Sequence, residues 1–357
     1  MTGKETTTFT KGRGALSNRE GRFAHHVVEP VDDGWPVDEE LPARPKTELY
    51  PDKTKNIIAR NSSPDISFDQ SINPYKGCEH GCVYCYARPT HSYLDLSPGL
   101  DFETKIFFKT SPVERLREAL DKPGYECKVI ALGANTDPYQ PVEKELGITR
   151  RILETLLEYR HPISIVTKGV LIERDLDLLS EFAQLGLVTV MVSVTSLDAR
   201  LKTTLEPRAA GPRARLRMIR ALHDTGVPVG VLMAPVIPCV NDDEIERIAE
   251  AVAKAGARSL GYVMLRLPHE VKELFREWLD EHLPDRAEHV MSVVRGLSGG
   301  KDYDARFGIR QRGQGPYAEL VARRFQIARR KFGLDGERFP PLRTDLFRSP
   351  AHQTQAR

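Results

Sequence analysis

The 357-residue chain has no apolar run of the length needed to span a bilayer. Its first residues, MTGKETTTFTKGRGALSNREGRF, hold no apolar h-region, which argues against a secretory signal. An excess of either charge is also missing. Lys plus Arg number 52 and Asp plus Glu 50, so the formal net charge is +2. A polycation is thereby excluded, and any nucleic-acid role needs a local basic face. Cysteine is scarce, with 5 in all and three of them bunched together, which does not suit a disulfide framework. These absences predict a cytoplasmic protein without a membrane partner. In that reducing compartment clustered cysteines more often hold a metal or do redox work.

What remains is ordinary globular composition, 40% hydrophobic and 29% charged. The length suits one large α/β domain with extensions or two modest domains. Residues 1–64 are poor in apolar periodicity, with an acidic, proline-bearing run at 31–45, and read as an extended, solvated arm. Residues 65–290 read as the core. Strand-like runs at 128–133 (KVIALG), 162–167 (PISIVT), 187–194 (LVTVMVSV), 227–235 (VPVGVLMAP) and 260–267 (LGYVMLRL) alternate with helical patterns. Those helices are expected at 148–159, 176–182, 212–223, 242–255 and 270–282, with Asn241 as a cap for the fourth. Residues 291–357 hold a Gly-rich loop, a basic helix at 316–331 and a tail. The basic helix reads as amphipathic and solvated, with a nucleic-acid contact as the sharper alternative.

A further strand before Cys78 makes about six β/α units. Continuous apolar strands joined by helices indicate a parallel sheet, closed as a doubly wound sheet or as a barrel. No Gly-x-Gly-x-x-Gly follows the first strand, which weakens the dinucleotide-binding version. In either closure functional groups gather beyond the C-terminal strand ends. The polar outliers lie there: Asn135, Thr136 and Asp137, then Lys168, Ser193 and Thr195, then Ala234 with Pro235, then Arg266.

The segment from Gly77 to Tyr86 reads GCEHGCVYCY, placing Cys78, Cys82 and Cys85 as C-x-x-x-C-x-x-C. Soft thiolates at this spacing bind iron–sulfur clusters or zinc. A cubane has four irons and the loop offers three cysteines, leaving one iron open to substrate. Zinc would call on His80 or a distant residue, yet zinc cysteines usually come as two separated pairs. Cys127 and Cys239 are single and far apart. A cluster- or zinc-bearing nucleic-acid-binding module without catalysis is the alternative from another class.

On these residues the chain resembles the radical S-adenosylmethionine superfamily, whose signature is C-x-x-x-C-x-aromatic-C after the first strand of a partial (β/α)6 barrel. The resemblance implies a [4Fe–4S] cluster on Cys78, Cys82 and Cys85, with S-adenosylmethionine on the open iron. One electron from an external donor such as flavodoxin or ferredoxin then breaks the S–C5′ bond, giving a 5′-deoxyadenosyl radical. The substrate is not named by the sequence, and nucleic acid is one class it admits. Tyr84 takes the aromatic position beside the adenine. The block around the cysteines, with Val166-Thr167-Lys168, Val192-Ser193 and 231–235, is similar to the spore photoproduct lyase-like branch. That similarity assigns Lys168 to the methionine carboxylate and Ser193 to ribose or carboxylate oxygens. It sets Ala234 on the cofactor wall, Asn135 and Asp137 near the amino group, and Tyr86 as a phenolic radical relay. One departure stands out: the branch's hydrogen-returning cysteine falls at Ala134. Cys239, in the loop after the fifth strand, is the remaining candidate donor.

Overall fold

The computed structural model describes residues 12–23, 45–335 and 339–350. Most of the acidic run at 31–45 lies outside them. Six parallel strands follow one another in chain order: β1 (Gln70–Ile72), β2 (Ile130–Leu132), β3 (Ile163–Thr167), β4 (Val188–Ser193), β5 (Val229–Val236) and β6 (Leu260–Met264). A two-residue strand, Ala59–Arg60, pairs antiparallel on the outer edge of β1. Burial on both faces explains the unbroken apolar text: in β4 every residue but Met191 is buried.

After each strand comes a principal helix: α1 (Pro112–Leu120), α2 (Ile148–Glu158), α3 (Leu176–Gln184), α4 (Pro212–Asp224), α5 (Ile245–Lys254) and α6 (Val271–His282). Proline opens α1 and α4, where its fixed φ suits the first turn and its missing N–H has no partner to lose. A doubly wound sheet reverses strand order at a switch point. Here the order never reverses, and parallel crossovers of one hand carry the helices to one face. Among the described residues β1 and β6 do not pair, so the winding is that of a partial barrel.

Beyond α6 come α7 (Ala287–Leu297), a loop at 298–315 and the basic helix α8 (Pro316–Lys331). α8 buries Ala318, Val321, Phe325 and Ala328, and Phe325 stacks on Tyr262 of β6 with ring centroids 4.2 Å apart. Arg324 is paired with Glu246 of α5 at 2.6 Å. The amphipathic reading of this helix therefore accounts for its packing. No helix among the described residues is long and apolar enough to cross a membrane.

Two expectations need correction. Asn241 caps no helix: its Oδ1 accepts from Ile237 N, and its Nδ2 donates to Thr195 O and Pro235 O, tying the ends of β4 and β5 together. The arm is described at residues 12–23 and from 45 on, and neither stretch is a solvated tail: Glu48–Asp52 pairs parallel with Lys105–Lys109. Arg13 donates to Glu103 O at 2.8 Å, while Gly14 N and Ala15 N donate to the Glu103 carboxylate at 3.0 and 2.8 Å. Composition shows few apolar residues there and cannot show that a buried carboxylate elsewhere needs its amides. The fit is close: a Cβ on Gly14 would lie 1.7 Å from Gly81 O. Gly14→Val should undock this segment and cost about 1–3 kcal/mol, as overpacking does. The lowered unfolding midpoint, with faster amide exchange at residues 12–23, checks it.

Candidate active site

The cysteine loop leaves β1 at its C-terminal end and runs to a 3-10 helix at Arg88–Leu94. It has almost no regular structure, so hydrogen bonds from its surroundings hold it. Cys78 N donates to Phe102 O (2.9 Å), Val83 N to Leu205 O (3.1 Å) and Glu79 N to Gln140 Oε1 (2.9 Å). Arg88, fully buried, donates from Nε to Cys82 O (2.9 Å) and from Nη1 to Pro98 O and Gly99 O. Its Nη2 meets Glu103, also fully buried, at 2.5 Å. Gly81 has φ of +67°, and a Cβ there would lie 2.7 Å from Glu103 Oε2, so only glycine suits this turn. Beneath the loop Cys82, Val83 and Tyr84 pack on a cluster holding Phe275, Trp278, Val290 and Val294.

All five cysteines are free thiols; Cys78 and Cys82 are buried and Cys85 is half-buried. Burial pushes the Cys78 thiol well up, and the fields of Asp137, Cys82 and Cys85 push the same way. Burial raises Cys82 to about 11 against the opposing charge of Lys168. The three sulfurs are thus mutual neighbours, and burial favours the protonated form at Cys78 and Cys82. Among the described residues no group of three His, Cys, Asp or Glu is close enough to grip a single metal ion. Three soft donors on one polar-walled loop are chemically suited to an iron–sulfur cluster, which removes their protons and the cost of burying thiolates. Cys127 lies before β2 and is raised to about 12 by burial, while Cys239 faces the Tyr317 hydroxyl, 4.0 Å from its sulfur.

Beside Cys82 lies a buried charge network. Lys168 Nζ is 3.2 Å from Cys82 Sγ, 3.0 Å from Tyr84 OH and 3.1 Å from Glu206 Oε1. Glu206 also accepts from Tyr84 OH, from Thr195 Oγ1 (2.8 Å) and from Arg215. Arg215 donates onward to Ser193 O at 2.9 Å. Burial pushes the Glu206 carboxyl up, yet Arg215, Lys168 and the Tyr84 hydrogen bond together hold it well below the usual range. Two cations share one carboxylate, so the network keeps a net positive charge facing the cysteine loop. Sequence reading missed Glu206 and Arg215. Charged residues on a helical pattern read as a wet face, and nothing local marks these two as buried.

The residues singled out from the sequence lie around this rim. Ser193 Oγ makes only a long bond to Ala234 O (3.4 Å). Thr136 is turned to Tyr75 O (2.8 Å), and Asn135 N meets Asn73 Oδ1 (2.9 Å). Asp137 accepts from Thr167 Oγ1 (2.6 Å), Lys168 N (2.9 Å) and Tyr139 N (2.9 Å), with His80 Nδ1 at 3.4 Å. Burial pushes its carboxyl up, but His80 and these hydrogen bonds outweigh burial and hold it at about 2. Tyr86, next to Cys85, donates its hydroxyl to Ala134 O, and the Arg266 guanidinium lies over its ring at 5.1 Å.

The Radical SAM superfamily model matches residues 72–252, just over half of the chain. The chain belongs to that superfamily and is an enzyme of its kind. An uncharacterized protein of Mycobacterium tuberculosis is 37% identical over 232 residues, covering 64% of this chain and 68% of that one. An uncharacterized protein of Methanocaldococcus jannaschii is 26% identical over 245 residues, covering 69% and 87% respectively. Among solved structures, spore photoproduct lyase complexed with dinucleoside spore photoproduct superposes with a TM-score of 0.55 at 15% identity, over 80% of this chain and 79% of that one. That likeness is one of fold.

Two outcomes follow from the buried charges. Glu206→Gln strands two buried cations and should cost about 3–5 kcal/mol in denaturant unfolding. Asp137 has a folded value near 2 against 3.8, so it adds stability above about pH 4 and loses it as pH falls toward about 2. Asp137→Asn should remove about 2 kcal/mol at neutral pH and flatten that acid limb, measured on protein without metal.

Proposed function

We propose that Cys78, Cys82 and Cys85 hold one [4Fe–4S] cluster and that the chain uses it to cleave S-adenosylmethionine reductively, directing the resulting 5′-deoxyadenosyl radical at hydrogen on a substrate. The observation that carries this is three free cysteines grouped on one loop beyond the first strand of six β/α units, with no fourth on that loop. Three donors leave one iron of a cubane without a protein ligand. When bound, the cluster supplies the single electron that breaks the S–C5′ bond. That electron comes from a cytoplasmic donor of the flavodoxin or ferredoxin type.

The chain's own residues bind and orient. Lys168, with Arg215 behind it, gives the net positive charge that suits a methionine carboxylate. Glu206 fixes where that charge sits. Ser193, weakly committed to Ala234 O, has a hydroxyl to offer ribose or carboxylate oxygens. The Tyr84 ring forms the wall for adenine, and Ala234 the wall opposite. Asp137 already accepts from three donors, which leaves it an acceptor position for the amino group, with Asn135 beside it. Tyr86 is the residue for a phenolic relay, since its hydroxyl sits at the rim against Ala134.

The same contact argues against repair of the spore photoproduct. A lyase of that kind returns a hydrogen atom from a thiol, and Ala134 has none. A binding module without catalysis is less favoured, because Arg324 of the basic helix is tied to Glu246 rather than free for nucleic acid.

Anaerobic reconstitution tests the reading. About four irons per chain and dithionite-dependent 5′-deoxyadenosine are expected. Ala at Cys78, Cys82 or Cys85 should abolish cleavage, while Cys127→Ala and Cys239→Ala retain it. Stoichiometric zinc without iron would sink the proposal. Lys168→Ala should keep the cluster and weaken S-adenosylmethionine binding about ten-fold, as loss of a charge-assisted hydrogen bond does. With DNA containing the spore photoproduct, 5′-deoxyadenosine should form with no thymine restored. Multiple-turnover repair that vanishes in Cys239→Ala would instead identify that thiol as the donor.

A further inference from the structure

We infer that Arg266 forms an oxyanion-binding subsite at the open edge of the sheet, and that the substrate carries a phosphoryl or carboxylate group that docks on it. That the docked molecule is the radical's substrate rests on the proposed function; the anion site itself does not.

Arg266 stands two residues beyond the end of β6, on the same rim as the cysteine loop. Its guanidinium lies over the Tyr86 ring at 5.1 Å, and Tyr86 directly follows Cys85. One nitrogen, Nη2, makes a long contact of 3.4 Å with Tyr303 OH. Another, Nε, is shut away from water and has no hydrogen-bond partner. A buried donor left so is destabilising, and folded proteins leave few of them without reason. Among the described residues no carboxylate lies within ion-pairing distance of Arg266.

The nearby acid does not answer the charge. The loop at 298–315 comes back to β6, where Gln311 O accepts from Met264 N at 2.8 Å. Asp65 is held by that loop, but its two oxygens are taken by Gly308 N at 2.7 Å and Arg310 Nε at 2.6 Å. The next arginine, Arg312, also has no acidic partner among the described residues and lies over the Tyr262 ring at 4.2 Å. Asp65 feels the Arg266 charge as well, but Arg266, Arg310 and Arg312 against this one carboxylate leave the rim between β6 and this loop net positive.

Stacking on Tyr86 fixes the plane of the Arg266 guanidinium, and its edge keeps unused donors. A planar fork with unsatisfied N–H groups matches a carboxylate or a phosphate, which accept two parallel hydrogen bonds. A purely structural arginine on this rim takes a carboxylate, as Arg310 does with Asp65 at 2.6 Å, whereas Arg266 takes none among the described residues and can offer an incoming anion only its outer nitrogens. An anion docked here would hold the rest of its molecule before Tyr86 and the cysteine loop.

The test uses reconstituted protein saturated with S-adenosylmethionine, titrated calorimetrically with phenyl phosphate, benzoate and the neutral benzyl alcohol. At least one anion should bind and the alcohol should not; which anion binds tighter assigns the oxyanion. Arg266→Gln should weaken that binding about ten-fold or more. Arg266→Lys should recover only part of it, because an ammonium offers no fork. Arg213→Gln, an exposed arginine on α4, should change nothing. If Arg266→Gln folds poorly by circular dichroism, Arg266→Lys decides. Absence of anion binding, or equal loss in Arg213→Gln, would overturn the inference. Anion binding without 5′-deoxyadenosine formation would remove the proposed function and leave the subsite standing. The converse result would remove the subsite alone.

Discussion

The buried pair of Arg88 and Glu103 is the constraint on which the cysteine loop depends. Both side chains are fully buried, where an ion pair is tolerated only if its remaining donors and acceptors are met. They are met by the loop and its neighbours. Arg88 holds the carbonyls of Cys82, Pro98 and Gly99, and Glu103 holds the amides of Gly14 and Ala15. A loop with almost no ladder hydrogen bonds of its own thus acquires a fixed path. The N-terminal segment becomes part of the site's support for the same reason.

A second set of buried charges stands on the other side of the loop. Lys168 follows β3, while Glu206 and Arg215 both belong to the β4 unit, and they meet because β3 and β4 are neighbours in register. Their net charge is positive where Cys82 faces them. The first network shapes the loop's backbone, and the second sets the field that its sulfurs and any anionic ligand experience. Between them Cys78 and Cys82 are buried, and burial raises both thiols.

Much of this was legible before any coordinates. The alternation of apolar strands with helical patterns placed five of the six strands within a few residues of where they lie, and set the first only as lying before Cys78. The C-x-x-x-C-x-x-C spacing marked the loop, and polar residues just past strand ends marked the rim, including Arg266. What could not be read were residues whose environment contradicts their type. Arg88, Glu103, Glu206 and Arg215 are charged and sit in helices or turns, where charge ordinarily signals water. Asn241 stands where a cap belongs, yet its amide bridges two strand ends. The segment at 12–23 is polar enough to read as a tail, because its docking depends on backbone amides that have no side-chain signature.

The sequence by itself determined the period of the elements, the donor atoms for a cluster and the edge of the sheet at which chemistry gathers. These are local properties: hydrophobic spacing decides strand or helix, and three thiols within eight residues must share a neighbourhood. Only the tertiary structure decided between a doubly wound sheet and a partial barrel, because strand order is a property of long-range pairing. It alone decided which charges are buried, since burial depends on what packs over a residue and not on the residue. It also left Arg266 without a carboxylate partner among the described residues, a fact that exists only once the neighbouring acid has been assigned elsewhere.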